Sequence, residues 1–169
     1  MPTRLLDWTS SPLIGLFFAL STFQNSKGAK GPALWVLDPA RWNAGMLSDI
    51  SGADTIYPTD DPIVDQYHPT NSGGSKRSEP LAIEGVINNA RISAQRGKFI
   101  IFGQQKKTLE QYCNDHKGWA GDVPLMRIDI DSASAPKMFY DLQQYGVTHS
   151  SVYPDLEGLA VEIKAKYGY

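Results

Sequence analysis

The first eleven residues of the chain are dense in side chains that can do chemistry, and an almost wholly apolar run, Pro12 to Phe23, follows them. Proline suits the first position of a helix, and a serine just before it suits the N-cap. The sequence therefore predicts a helix over 12–23, buried on nearly every side, that begins beside a polar cluster. The N-terminus of a helix favours an anion such as a phosphate. The cluster consists of Arg4, Asp7, Trp8, Thr9 and Ser10.

Two interpretations of this cluster stay open on the residues alone. In the first, the hydroxyls only cap the helix, Arg4 pairs with Asp7, and Trp8 packs in the core. In the second, the turn before the helix is the floor of a binding site. The two differ in whether Thr9 and Ser10 bind the protein itself or a ligand.

A second group of polar side chains lies in the segment 91–95. Arg91 and Gln95 alternate there with apolar residues, a pattern typical of a half-exposed strand. The sequence predicts a strand that bends at Gly97 and continues through Phe102. Either the two side chains face solvent, or they line the same pocket as the Thr9 turn. Guanidinium groups, hydroxyls, an amide and an indole around a helix N-terminus would suit a nucleotide-like small molecule.

Composition narrows the class of protein. The 169 residues predict a single domain over 1–169, and the net charge of −2 argues against a dominant face for nucleic acid. Cys113 is the only cysteine, which excludes an internal disulfide and disfavours a metal site. Cys113 and His116 lack an obvious third catalytic group, so we expect a half-buried thiol and a surface imidazole. No leader or apolar run of membrane length stands out, so we expect a cytoplasmic protein that does not contact membranes.

Strand and helix patterns mix without regular βαβ alternation, which predicts an α+β fold with a small mixed or antiparallel sheet and flanking helices. Residues 25–31 are predicted as a loop. The segment 48–80 is predicted as a long irregular loop, functional or disordered, whose aspartates lie in solvated turns and not in a metal site. In the last helix, capped by Asp155, apolar residues line one face. The other predicted strands are 32–37, 81–87 and 125–131, and the other predicted helices are 39–46, 108–114 and 135–145.

Three stretches resemble the FRG domain family, which is named for a Phe-Arg-Gly motif near its N-terminus. The first is Pro2-Thr-Arg-Leu-Leu-Asp-Trp-Thr9 with the helix start that follows it. The second is Arg91-Ile-Ser-Ala-Gln-Arg-Gly-Lys-Phe99, and the third is Ser151-Val-Tyr-Pro-Asp-Leu-Glu-Gly-Leu-Ala160. The namesake motif would precede Met1. The resemblance therefore implies an N-terminally truncated FRG domain. The truncation is natural, or the chain is a fragment, or a protein partner supplies or replaces the missing segment.

The FRG pattern is more distantly similar to the ADP-ribosyltransferase architecture, a likeness at the level of the fold. It implies NAD as the substrate, with no metal. Thr9 and Ser10 would hold the nicotinamide ribose, and Gln95 would stand in the place of the catalytic carboxylate, with Glu84 as the alternative. Arg4 would replace the arginine of the missing strand. The implied NAD-binding residues are Arg4, Asp7, Trp8, Thr9, Ser10 and Arg91.

Two functions follow from the resemblance. One is an NAD-handling ADP-ribosyltransferase or NAD glycohydrolase of the toxin or phage-conflict kind. The other is a non-catalytic module that binds a nucleotide or a protein. A carboxylate normally stabilises the positive charge of an oxocarbenium-like transition state, and the neutral amide of Gln95 does so only weakly. We therefore expect the chain to bind NAD more readily than to turn it over.

Overall fold

The computed structural model describes residues 4–24, 31–69, 76–116, 119 and 122–168. The fold is α+β, as the sequence predicts. The described strands form a four-stranded sheet in the order β1-β5-β4-β3 and a two-stranded sheet of β2 and β6, with helices around them. The strands are β1 Leu5–Thr9, β2 Ala33–Leu37, β3 Tyr57–Pro58, β4 Leu81–Glu84, β5 Gly97–Ile101 and β6 Leu125–Asp129. The helices are α1 Pro12–Gln24, α2 Pro39–Met46, α3 Pro62–Asp65, α4 Ala90–Gln95, α5 Leu109–Asp115, α6 Ala135–Gln144, α7 His149–Val152 and α8 Leu156–Tyr167.

The chain divides into two compact units, each assembled from three separate segments. Unit 1 comprises residues 1–8, 35–86 and 98–126, and unit 2 comprises residues 9–34, 87–97 and 127–169. Each unit has buried apolar clusters of its own. The prediction of a single domain over 1–169 stays a prediction.

Unit 1 is built on both faces of β4, whose first three residues are buried. Successive side chains of a strand point to opposite faces. Leu81 and Ile83 accordingly join one apolar cluster with Tyr67, while Ala82 joins a second with Trp42. β4 pairs antiparallel with β5 and parallel with β3, so the sheet is mixed.

A fully buried amide ties α2 to β4. Asn43 donates from Nδ2 to the carbonyl oxygens of Thr55 (2.6 Å) and Ala82 (2.8 Å). Its Oδ1 accepts from the backbone N–H of Ala82 at 2.8 Å. All three bonds lie within unit 1, and they satisfy a polar side chain that burial would otherwise penalise.

The prediction that 48–80 is irregular is wrong for much of the segment. β3 and α3 lie within it, and Ala53, Ile63 and Tyr67 are buried in the unit 1 core. Asp61 caps α3 by accepting from the backbone N–H of Ile63 at 2.9 Å. Proline and aspartate mark a helix start here, although the same residue types are common in solvated turns. Residues 70–75, and residues 25–30 of the loop predicted over 25–31, lie outside the described residues.

Unit 2 is built on the packing of α1 against α6. Phe17 is fully buried, and its ring centroid lies 5.6 Å from that of Phe139. The predicted helix over 12–23 is confirmed as Pro12–Gln24. Burial on nearly every side is wrong, because Leu13 is 46% exposed and only the Ile14, Phe17 and Leu20 face is buried.

The segment 91–95 is a helix, and the predicted strand is wrong there. The side chain of Asn89 caps α4 by accepting from the backbone N–H of Ile92 at 2.8 Å. Arg96 adopts a left-handed conformation (φ 48°) that ends the helix, and β5 starts at Gly97. Alternation over five residues is too short to distinguish a strand from a capped helical turn.

The C-terminal part of unit 2 contains α7, which the sequence did not predict, and α8, which it did. A capping box between Thr148 and Ser151 starts α7. Asp155 caps α8 by accepting from the backbone N–H of Gly158 at 2.8 Å. The apolar face of α8 is exposed, with Leu156 84% accessible. No helix in the described part of the chain has the length and apolar character needed to cross a membrane.

Candidate functional site

The hydroxyl of Thr9 both donates and accepts a hydrogen bond within the protein. It donates to the carbonyl oxygen of Gln95 at 2.7 Å and accepts from the backbone N–H of Ser11 at 3.0 Å. Ser11 in turn directly precedes α1, with its Oγ 3.5 Å from the backbone nitrogen of Ile14. These contacts are those of a capping turn, and they all lie within unit 2.

The side chain of Gln95 is engaged as well. Its Nε2 donates to the carbonyl oxygen of Val152 at 3.2 Å, at the end of α7. The structure therefore brings Thr9 and Gln95 together through the main chain of Gln95, while the Gln95 amide bonds α7. The amide holds α4 to α7 in the place where the resemblance expects a catalytic group.

Two candidate side chains of unit 2 remain exposed. Ser10 bonds through its backbone N–H to the carbonyl oxygen of Arg96 at 3.1 Å, and its side chain faces solvent. The exposed guanidinium of Arg91 lies 5.0 Å from the ring centroid of Tyr153, a cation–π distance. A guanidinium placed over an aromatic face offers charge for a phosphate and a surface for a flat ring.

The guanidinium of Arg4 binds backbone carbonyls of unit 1. Its Nε and Nη2 donate to the carbonyl oxygen of Phe102 at 3.0 and 2.7 Å, and Nη1 donates to that of Tyr67 at 2.7 Å. None of the ion pairs among the described residues joins Arg4 to Asp7, so that pairing, expected under the capping interpretation, is wrong. Arg4 holds β1 and the Tyr67 turn together.

The other candidates of unit 1 have separate surroundings. Glu84 pairs with Lys98 across β4 and β5. Trp8 packs against the cluster around Trp42, as the capping interpretation expects, and its buried indole N–H bonds no described residue. Asp7 is exposed on β1. The predicted residues thus divide between unit 1 and unit 2, and the contacts that join predicted residues to one another lie in unit 2.

A shallow cleft in unit 1 was not predicted from the sequence. Its volume is about 170 Å³. Lys107 pairs there with Asp115 at 2.9 Å, and the hydroxyl of Tyr112 donates to the carbonyl oxygen of Ser78 at 3.2 Å. The charges of Lys107 and Asp115 therefore satisfy each other. The lining residues are Met46, Glu79, Gln105, Lys107, Tyr112, Asp115 and His116.

The cysteine and histidine of α5 do not form an activated pair. Burial, and to a smaller extent the charge of Glu110, raise the pKa of the Cys113 thiol, which keeps it protonated and weakly nucleophilic. The ring of His116 lies against Trp119 at a centroid distance of 4.8 Å. Over the described stretches of the chain, no group of three or more His, Cys, Asp or Glu side chains is arranged to hold a metal ion.

A half-buried histidine and an acidic neighbour lie where α7 meets α8. Burial lowers the pKa of His149, whose ring meets Phe17 edge-on at a centroid distance of 5.1 Å, although Glu162 acts in the opposite direction. Glu162 accepts from the backbone N–H of Ser150 at 2.9 Å. Hydrogen bonds from Ser150 and Thr148 lower the pKa of the Glu162 carboxyl.

The comparison with known families agrees with the first stretch of the sequence. The model of the FRG domain family matches residues 1–28, which include β1, the Thr9 turn and α1. No curated protein and no solved structure matches the chain. The FRG likeness therefore extends over the capping turn and its flanking elements, and the remainder of the site is described by its geometry alone.

Proposed function

We propose that the chain is an FRG-like binding module that holds a nucleotide-like ligand, NAD or ADP-ribose, without turning it over. The observation that carries this proposal is the engagement of Thr9 and Gln95. The hydroxyl of Thr9 and the amide of Gln95, the two groups expected to hold and activate NAD, both bond backbone groups of unit 2. The exposed guanidinium of Arg91, which lies over the ring of Tyr153, remains free of such bonds to the described residues and would bind a phosphate and a flat ring of the ligand.

Ligand binding is tested by thermal denaturation with NAD, ADP-ribose and ATP. A ligand that binds the folded state raises the melting temperature by mass action. We expect NAD or ADP-ribose to raise it, and Arg91→Ala to abolish the increase. Arg96→Gly is the matched control, because it removes another exposed guanidinium of unit 2 at a left-handed position that glycine adopts readily. The absence of a shift with all three ligands would contradict nucleotide binding.

Catalysis is tested beside it by following nicotinamide release from NAD, with candidate acceptor proteins and nucleic acids present. We expect no release by the wild-type chain. Gln95→Glu, which introduces a carboxylate, is expected to lower stability without creating turnover, because a carboxylate cannot donate to the carbonyl of Val152.

The second candidate function is the NAD-handling ADP-ribosyltransferase or glycohydrolase of the toxin or phage-conflict kind. The observation in its favour is that the side chain of Ser10 and the guanidinium of Arg91 remain exposed in unit 2, beside the FRG-like turn. Nicotinamide release that is lost in Gln95→Ala and Thr9→Ala, but retained in an equally destabilised variant elsewhere, would establish this function and overturn the first.

A further inference from the structure

One face of α8 carries a continuous apolar stripe. Leu156, Leu159, Ile163 and Tyr167 are spaced by three, four and four residues, which places them within about 80° of the helix circumference. Their side chains are 84%, 45%, 44% and 64% exposed, respectively. These four residues are called the α8 stripe. Spacing of this kind is that of a helix that packs along another helix.

The other side of α8 is already packed within unit 2. Gly158 is buried, and a Cβ there would collide with the carbonyl oxygen of Tyr153. One turn further along, Glu162 bonds the backbone of α7. α8 is therefore seated on α7 by its Gly158 and Glu162 side, which turns the α8 stripe away from the unit 2 core.

The charges beside the α8 stripe are sorted along the helix. Glu157 and Lys164 lie two turns apart on one flank. Lys166 lies on the other flank at the C-terminal end, and the N-cap Asp155 directly precedes the first turn. The N-terminal end is thus acidic and the C-terminal end basic. Among the residues that the structure describes, neither Glu157 nor Lys164 takes part in an ion pair.

We propose that the α8 stripe binds the α8 stripe of a second copy of this chain, with the two helices antiparallel. A two-fold axis between residues 160 and 161 then places Glu157 opposite Lys164 of the second copy, and Lys164 opposite its Glu157. The same axis places Asp155 opposite Lys166 of the second copy. Leu159 of each copy then lies within one residue's rise, about 1.5 Å, of the height of Ile163 of the other, close enough for the two side chains to touch. One patch is therefore complementary to itself, as an isologous interface requires.

The charges select the antiparallel arrangement. In a parallel pair, opposite flanks of the two helices meet at the same height. Glu157 would then face Asp155 of the second copy, and Lys164 would face Lys166, so like charges would repel. The antiparallel pair also opposes the two helix dipoles. Burial of the apolar stripe supplies the attraction, while the charges determine the direction.

The interface is small. A helix of twelve residues is about 18 Å long, so the buried area lies at the low end for protein pairs. A reversible dimer that forms at high protein concentration is expected. This inference is independent of the ligand that the chain binds.

Sedimentation equilibrium over protein concentrations up to about 1 mM tests the pairing. The wild-type chain is expected to pass from monomer to dimer. Leu159→Asp and Ile163→Asp are expected to stay monomeric, with circular dichroism showing that each is folded. Val161→Asp is the matched control, because Val161 is exposed on α8 but lies off the stripe. A wild-type chain that stays monomeric at all concentrations would overturn the proposal and assign the stripe to a different partner.

Charge exchange tests the direction of the helices. Glu157→Lys and Lys164→Glu should each weaken self-association about threefold to tenfold, because each replaces two attractive contacts by repulsive ones. An equimolar mixture of the two variants restores opposite charges at both contacts, so it should dimerise as the wild type does. The double variant should do the same. Association that is unchanged in the single variants, or weak in the mixture, contradicts the antiparallel pair.

Discussion

At the residue scale, the hydroxyl of Thr9 links the end of β1 to the start of α1 and to the end of α4, which is distant in sequence. The hydroxyl accepts a hydrogen bond from the backbone N–H of Ser11, which orders the start of α1. It donates one to the carbonyl oxygen of Gln95, which fixes the end of α4. A threonine that ends a strand and orders the turn before the next helix is a structural requirement here. A hydroxyl in the same place was also the strongest sign of a ligand site in the sequence, because capping and ligand binding use the same atoms.

Replacement of Thr9 by alanine should lower the free energy of unfolding by about 1–2 kcal/mol, since one donor and one acceptor are lost at a half-buried turn. Thr9→Ser keeps the hydroxyl and should lower it by clearly less. Urea denaturation of the two variants beside the wild type measures the difference. Equal effects of alanine and serine would show that the methyl group, and not the hydroxyl, is what the turn needs.

At the element scale, α2 is held to β4 by the amide of Asn43, which has no accessible surface. Three bonds within unit 1 converge on this side chain, and two of them satisfy both backbone groups of Ala82. Nothing in the sequence around Asn43 distinguishes it from an exposed helical asparagine. Its role depends on the position of β4, which lies about forty residues further along the chain.

Asn43→Ala should lower the free energy of unfolding by about 2–4 kcal/mol, because it leaves buried backbone groups of β4 without their partners. Asn43→Asp should be at least as harmful, since it keeps one acceptor but loses both donors and places a charge in the core. The control is Asn88→Ala, an asparagine that is exposed to solvent. Thermal denaturation measures the loss of stability in each variant. A loss for Asn43→Ala that is no greater than that for Asn88→Ala would contradict this role of Asn43.

The same scale shows what a sequence can predict here. The starts of α2, α5 and α8 were predictable, because the caps Asp38, Thr108 and Asp155 bond backbone groups three residues away. α4 was not, because a capped helix of six residues carries the same short alternation as a strand. The exposure of the apolar face of α8 was not readable either, since periodicity indicates a face but not what covers it. The hydrogen bond of the Gln95 amide could not be predicted from the sequence either, because its partner, the carbonyl oxygen of Val152 on α7, is distant in sequence.

At the scale of the whole molecule, pH is expected to act on stability through His149. Burial lowers the pKa of His149 in the fold below the ordinary value of 6.5. The unfolded chain therefore takes up a proton at this site more readily than the folded chain. Stability from the neutral ring is present above about pH 6.5 and is lost as the pH falls below that value. The lowered pKa of Glu162 acts in the same direction, but nearer pH 4.5.

The melting temperature should accordingly fall as the pH is lowered from 7.5 to 5.5. His149→Phe retains an aromatic ring against Phe17 and Phe139 but cannot titrate, so it should show a weaker dependence over the same range. Scanning calorimetry at half-unit steps of pH measures both profiles. Parallel profiles would mean that groups other than His149 cause the dependence.

The segments of the two units alternate along the chain, which limits how the protein can be divided into fragments. The chain passes from one unit to the other five times, at residues 8/9, 34/35, 86/87, 97/98 and 126/127. No single cut can therefore separate the two units, because any piece that keeps the whole of one unit also carries segments of the other. The stretch matched to the FRG family contributes β1 largely to unit 1 and α1 to unit 2, so an isolated peptide of those residues would carry a small part of each unit and the whole of neither.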